Sequence, residues 1–306
     1  MEKLLILSGP TAVGKTELSL RLAKAVGGEI ISADSMQVYK GMDIGTAKIT
    51  KEEMQGVPHH LIDILDPKED FNVVRFKTLA KEKVKEINAR GAVPIVVGGT
   101  GFYIQALLYD IDFTDNDDDM SYRHELEEKA EKEGPEVLHE MLRKIDPESA
   151  DAIHANNVKR VIRALEFYKK SSTTISSHNR EQRENVSPYD HRYFALTDDR
   201  EKIYERIDRR VDIMLENGLV DEVKRLLEAG VPETAVSMQG LGYKEIVNFL
   251  QGRCSLEEAV YVLKRDTRHF AKRQLTWLRR EKDVIWFDKS KETDDEILER
   301  MKGTLR

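Results

Sequence analysis

Apolar residues in the first hundred positions follow two alternating patterns: short continuous runs, and longer stretches at helical spacing. Leu4 to Leu7 is a run of four, which suits a strand buried on both faces. After a glycine-bearing turn, Leu18, Leu22 and Ala25 mark one face of a helix stopped by Gly27-Gly28. Glu29 to Ala33 predicts a second buried strand. Val73, Phe76, Ala80, Val84 and Ile87 outline a further helix ending at Gly91, and Pro94 to Val97 a strand closed by Gly98-Gly99. Such alternation predicts an α/β fold, a parallel sheet flanked by helices. Ligands of these sheets sit beyond the carboxyl ends of the strands, where Ser8–Gly9, Asp34 and Gly98–Thr100 all fall.

From about residue 113 the pattern turns acidic and helical, and strand character resumes at Arg192 to Leu196. Beyond Glu201 the chain reads helical until a last strand at Val284 to Phe287. The expected organisation is a first part of the α/β core at 1–112, a mostly helical insertion at 113–192, and a second part of the core with C-terminal helices at 193–306. No internal repeat or long Pro/Gly/Ser linker interrupts it.

Composition changes the picture in one respect. The net charge is −7, which taken alone argues against a nucleic-acid partner. Yet Asp110 to Glu136 holds twelve acids and three bases, whereas Lys264 to Lys282 holds eight bases and two acids. Charge segregated in this way offers phosphates a basic surface despite the acidic total. A solvated helix face is the plainer reading of such a run. No apolar run approaches a membrane span, Met1 leads almost directly into the first strand, and the single Cys254 forms no internal disulfide. A monomer in a reducing cytoplasm is expected.

The most specific motif is Gly9-Pro10-Thr11-Ala12-Val13-Gly14-Lys15-Thr16, which fits G-x-x-x-x-G-K-[ST] between a strand and a helix. Its glycines let backbone N–H groups curl around phosphate oxygens at a helix N-terminus. Lys15 supplies a point charge, and Thr16 a hydroxyl ligand for Mg²⁺. The fold is therefore read as P-loop NTPase-like. The later strand ends in Gly98-Gly99-Thr100-Gly101 without a carboxylate, which weakens the ATPase and GTPase readings. Asp34, closing the second strand, is placed to act as a general base or metal ligand; a helix-capping or turn aspartate is the alternative.

These segments carry a resemblance. The phosphate loop, Asp34-Ser35-Met36-Gln37-Val38-Tyr39, Pro58 to Asp63, Gly98 to Tyr103, Gly242 to Glu245 and Ala271 to Trp277 occur in series. Together they closely resemble the bacterial tRNA dimethylallyltransferase (isopentenyltransferase) family, over nearly the whole chain. The resemblance implies transfer of a dimethylallyl group from its pyrophosphate to N6 of the adenosine 3′ of the anticodon in a tRNA anticodon stem-loop, with Mg²⁺. It implies Asp34 as the base, Lys15 and Thr16 at the leaving group, and Thr11 to Thr16 with Arg210 on prenyl pyrophosphate. It also implies RNA contacts from Ser35, Met36, Gln37, Thr100, Arg123 and Lys159-Arg160-Val161-Ile162-Arg163; apart from the resemblance, Lys272 and Arg273 in the basic C-terminal helix suit RNA phosphates. The sequence ends without the zinc-finger extension of eukaryotic relatives.

Other residues keep two readings. Arg206 and Arg210 both flank the apolar stripe Ile203, Ile207, Val211 and Met214, and Arg206 fits a solvated flank as well as a cleft. Arg268 clusters with Lys272 and Arg273. Adjacent His59 and His60 point opposite ways on an extended segment, which disfavours a shared metal. Tyr39, Phe102 and Tyr103 fit either core or ligand stacking. The rival functions are a small-molecule or nucleoside kinase sharing the phosphate loop, and a non-catalytic RNA-binding module.

Overall fold

The computed structural model describes residues 1–113 and 121–305, so the acidic run Asp110 to Glu136 lies partly outside them. In chain order the first elements are β1 (Glu2–Ser8), α1 (Lys15–Val26), β2 (Gly28–Ser32), β3 (His59–His60), α2 (Val73–Ala89), β4 (Val93–Gly98) and α3 (Gly101–Leu108). Next come α4 (Ser121–Glu133), α5 (Pro135–Ile145), α6 (Pro147–Ala152), α7 (Val158–Ser171) and α8 (Ile175–Arg183). The chain finishes with β5 (Tyr189–Thr197), α9 (Arg200–Glu216), α10 (Leu219–Glu228), α11 (Tyr243–Leu250), α12 (Leu256–Leu278), β6 (Val284–Asp288) and α13 (Asp294–Gly303).

The six strands form one parallel sheet in the order β3-β2-β4-β1-β5-β6. Leu4 to Leu7 are at most 4% exposed, as expected for a strand with parallel neighbours on both sides. Register brings the strand ends together: Ser8 lies opposite both Gly98 and Ala195, and Ser32 opposite Val97. The Ser8 hydroxyl donates to the Gly98 carbonyl, and the Ala33 N–H to the Val97 carbonyl, tying β1, β4 and β2 at that edge.

Helix α2 keeps the expected inward face of Phe76, Ala80, Val84 and Ile87, and the Asn72 side chain caps it by accepting the Arg75 N–H. Helix α1 differs from expectation at Ala25, which is exposed. Its buried apolar set is Leu18, Leu20, Leu22 and Ala23 because α13 packs against it as well as the sheet, adding Ile297 and Met301 to the core. Gly27 ends α1 in a left-handed conformation at φ 62°.

Two compact units emerge: Met1–Leu108 with Ser187–Arg306, and Tyr109–Val186. Strand β5 begins at Tyr189, inside the segment expected to be insertion through 192, because Tyr189 already pairs with Glu2. The Tyr109–Val186 unit has a core of its own, built from Leu126, Leu138, Leu142, Val161, Ile162 and Leu165. Asp146, 2% exposed, joins two of its helices, accepting from Ser149 N and Oγ and from Ser176 N.

Candidate active site

The loop between β1 and α1 is fixed by its apolar members. Val13 packs into the main core, and Ala12, at φ 63°, packs against Ile203, Ile207 and Ala271 of α9 and α12. Their side chains are spent on anchoring, so from these two residues only backbone groups remain for a ligand. Gly9 is required by close approach: a Cβ there would lie 2.9 Å from the Leu196 carbonyl oxygen. Helix α1 starts at Gly14 with no side-chain cap, leaving first-turn N–H groups for an anion. The Lys15 ammonium donates to the Gly9 and Pro10 carbonyls at 2.9 and 2.7 Å. Thr16 is exposed.

Burial lowers the Lys15 pKa to about 7; the nearby Arg210 pushes it the same way, and the Asp34 carboxylate opposes both. Lys15 thus lies in the field of both Arg210 and Asp34. Asp34 follows β2. Its Oδ1 accepts the N–H groups of Met36 and Gln37 at 2.8 and 3.1 Å, so the turn reading of this residue is correct as far as that oxygen goes. Oδ2 has no hydrogen-bond or ion-pair partner among the described residues. One oxygen is fixed by the backbone and the other is left without a partner among the described residues.

The two arginines of α9 separate clearly. Arg206 is ion-paired at 2.5 Å with Asp198, whose side chain is 4% exposed. Arg210 has no acidic partner among the described residues, and desolvation followed by repulsion from Arg206 holds its pKa below the usual value. A guanidinium in that condition gains from an arriving anion.

Gln274 on α12 joins two of the loops, although the sequence reading left its role unassigned. Its Oε1 accepts the Thr11 N–H at 2.8 Å and its Nε2 donates to the Gly99 carbonyl at 3.0 Å. Thr11 therefore has its N–H engaged within the protein. A Cβ at Gly99 would fall 2.0 Å from Gln274 Nε2, and one at Gly101 2.2 Å from the Trp277 ring. Gly99 and Gly101 thus admit α12, and Gly98 admits the Ala33 carbonyl, 2.4 Å from where a Cβ would lie. Tyr39 and Tyr103 are core: Tyr103 stacks on Phe76 at 4.7 Å, and burial, Tyr39 and Asp34 raise its pKa. Phe102 is 42% exposed, edge-on to Trp277. His60 pairs with Glu29 and His59 bonds the Val57 carbonyl, both structural contacts.

The family model described as IPP transferase matches residues 37–281. A protein named tRNA dimethylallyltransferase from Lachnoclostridium phytofermentans is 63% identical over 295 residues, covering 96% of this chain and 94% of that one. The chain belongs to the IPP transferase family. A relative of the same name from Carboxydothermus hydrogenoformans is 52% identical over 300 residues, covering 98% of this chain and 96% of its own length. Among solved structures, the full-length tRNA isopentenylpyrophosphate transferase from Bacillus halodurans aligns with TM-score 0.76 at 48% identity, covering 100% of this chain and 96% of that one. A eukaryotic dimethylallyltransferase described as acting on tRNA aligns with TM-score 0.83 at 32% identity, over 98% and 78%.

For a member of the IPP transferase family, the expected RNA-contacting residues fall into three conditions. Lys159 and Arg160 are exposed at the start of α7, and Lys272 and Arg273 lie in a groove of about 410 Å³ with His269, Thr276, Trp277 and Arg280. None of these four cations has an acidic partner among the described residues. Arg123 is committed, its guanidinium forked onto Glu166 at 3.0 and 2.7 Å, and Arg268 is paired with Asp208 at 2.5 Å. Val161 and Ile162 are 0% and 2% exposed, which corrects their assignment: their side chains are core of the helical unit. Arg163 is half-buried beside them. Ser35, Met36, Gln37 and Thr100 are half-buried, with the Gln37 amide hydrogen-bonded to the Thr46 carbonyl and Ser32. None of the described helices is long and apolar enough to cross a membrane.

Proposed function

We propose that this chain is a tRNA dimethylallyltransferase, moving the dimethylallyl group from its pyrophosphate to N6 of the adenosine 3′ of the anticodon and releasing pyrophosphate. The supporting observation is Asp34: one oxygen held by two N–H groups, the other unpartnered, in the field of the Lys15 ammonium at an uncapped helix start. The exocyclic amine of adenine is a weak nucleophile because its lone pair is delocalised. Asp34 accepts the N6 proton as the N–C bond forms, and Lys15, Arg210 and the first-turn N–H groups take up charge as the allylic C–O bond breaks. The stacked anticodon-loop base must turn out to reach Asp34, which costs less in a loop than in a duplex.

No group of three His, Cys, Asp or Glu that could cage a metal occurs among the described residues. The donor set suits Mg²⁺, which keeps several waters and binds through substrate oxygens with few protein ligands; Thr16 is the residue to hold it. When bound, the ion adds positive charge at the leaving pyrophosphate. The working unit proposed is a monomer, in the cytoplasm where its tRNA substrate is found. Lys159, Arg160, Lys272 and Arg273, all without acidic partners, are the cations proposed to meet tRNA phosphates.

The deciding assay combines Mg²⁺, dimethylallyl pyrophosphate and unmodified tRNA, followed by digestion and mass analysis of nucleosides. Adenosine heavier by one C5H8 unit is expected. Its absence, with ADP formed from ATP and a small acceptor instead, would establish the kinase.

A further inference from the structure

Glu222 on α10 is 2% exposed, and no cation is among its hydrogen-bond partners. Its Oε2 accepts the N–H groups of Asp43 and Ile44 at 2.9 and 2.8 Å; its Oε1 accepts the Gly45 N–H at 3.1 Å and the Tyr243 hydroxyl at 2.7 Å. A buried carboxylate is costly unless donors surround it, and here four do so. Three come from successive backbone positions nearly 180 residues away in sequence, so the contact fixes one turn's conformation rather than a single side chain. Gly45 must be glycine for this fit, because a Cβ would lie 2.7 Å from the Tyr243 ring. Neither residue touches the phosphate loop in any contact described above.

The turn leads directly to Asp34. Thr46 donates its hydroxyl to the Met42 carbonyl, closing the turn. The Thr46 carbonyl accepts from the Gln37 amide at 3.2 Å, and the Gln37 backbone N–H in turn holds Asp34 Oδ1. The path from Glu222 to the reacting carboxylate therefore runs through one turn and one glutamine. Lys48 fastens the far side, donating to the Tyr39 carbonyl and to Asp43 and Asp63.

We propose that Glu222 is a positioning residue for the transfer step: by holding the 43–45 turn it sets Gln37, and through Gln37 the orientation of Asp34. This rests on the prenyl-transfer reading above. Loss of the turn's anchor leaves the phosphate loop intact and lets Asp34 drift from the amine, and a misplacement of about 1 Å costs up to roughly 10²-fold in rate.

The test is Glu222→Gln, in which an amide NH2 is forced against backbone donors. Prenyl pyrophosphate affinity is expected to stay within about threefold of wild type while kcat for tRNA prenylation falls on the order of 10–10²-fold. Tyr243→Phe removes one donor of four and keeps the carboxylate, so a smaller fall in kcat with the same split is expected. Hydrogen exchange should quicken at residues 43–45 and at 35–37 together in Glu222→Gln. An unchanged kcat in the folded variant, or equal loss of pyrophosphate binding and turnover, would overturn the proposal. If wild-type protein itself yields no prenylated adenosine, the functional reading fails separately, and exchange at 35–37 unmoved by Glu222→Gln still counts against the positioning role.

Discussion

Two polar regions, joined through Gln37 and Asp34, are treated in opposite ways. Around residues 42–48 every strong group is matched: Glu222 receives four donors, and Lys48 gives its three protons to Tyr39, Asp43 and Asp63. At the phosphate loop the protein stops short. Arg210 has no acid among the described residues, Asp34 keeps one free oxygen, and Lys15 turns to loop carbonyls with its pKa lowered to about 7. The same contrast divides α12. Lys264, Arg265 and Arg268 are paired with Asp212, Asp266 and Asp208, while Lys272 and Arg273 further along have no acid among the described residues. The protein meets the first set of groups with its own donors and acceptors, and leaves Arg210, one oxygen of Asp34, Lys272 and Arg273 without an ionic partner among the described residues.

That contrast can be broken by experiment. Asp34→Ala should leave tRNA binding nearly intact while turnover falls on the order of 10²–10⁴-fold in a prenylation assay; full activity would remove Asp34 from the mechanism. Arg210→Ala should weaken prenyl pyrophosphate binding by roughly 10–10²-fold, as expected for a lost charge-assisted contact, whereas Arg206→Ala, already neutralised by Asp198, should change it far less. Equal effects of the two would erase the distinction drawn on α9. Lys272→Ala combined with Arg273→Ala should flatten the salt dependence of tRNA binding, by a slope of about 1.4 for two loop phosphates. Arg268→Ala should leave that slope nearly unchanged.

At the Glu29 ion pair, away from both regions, the expected effect is on stability alone. Arg90 and His60 hold the Glu29 carboxyl down to about 2. A depressed carboxylate stabilises the fold above the ordinary carboxylate range and loses that contribution as pH falls through its folded value. Arg90→Met should therefore lower Tm slightly above pH about 4.5, with the gap to wild type closing toward pH about 2. Its kcat should match wild type, since Glu29 lies at the opposite end of β2 from Asp34.

The sequence disclosed the sheet, the phosphate loop and Asp34 because each has a local signature: a continuous apolar run, a fixed motif, a polar residue at a strand end. It did not disclose β3, since two residues at a sheet edge carry no periodicity. Glu222 and Gln274 were hidden for a different reason. Their partners are backbone N–H and C=O groups far away in sequence, and a side chain that bonds to backbone imposes no residue type on its partner. The clue available was Gly45 and Gly99, glycines whose missing Cβ makes room for Tyr243 and Gln274. Val161 and Ile162 were misassigned because a basic cluster was read as one surface. On a helix, neighbours at i and i+1 diverge by about 100°, so the apolar pair turned inward while Lys159 and Arg160 stayed out.

The central claim is that Lys15 and Asp34 share one site, and the titration of the Lys15 ammonium, followed by NMR in wild type and in Asp34→Asn, tests it most directly. Removing a nearby negative charge favours the neutral amine, so the account predicts a midpoint near 7 that moves lower in Asp34→Asn. Superimposable titrations would mean that the two groups do not feel each other, and the proposed transfer between them would be contradicted.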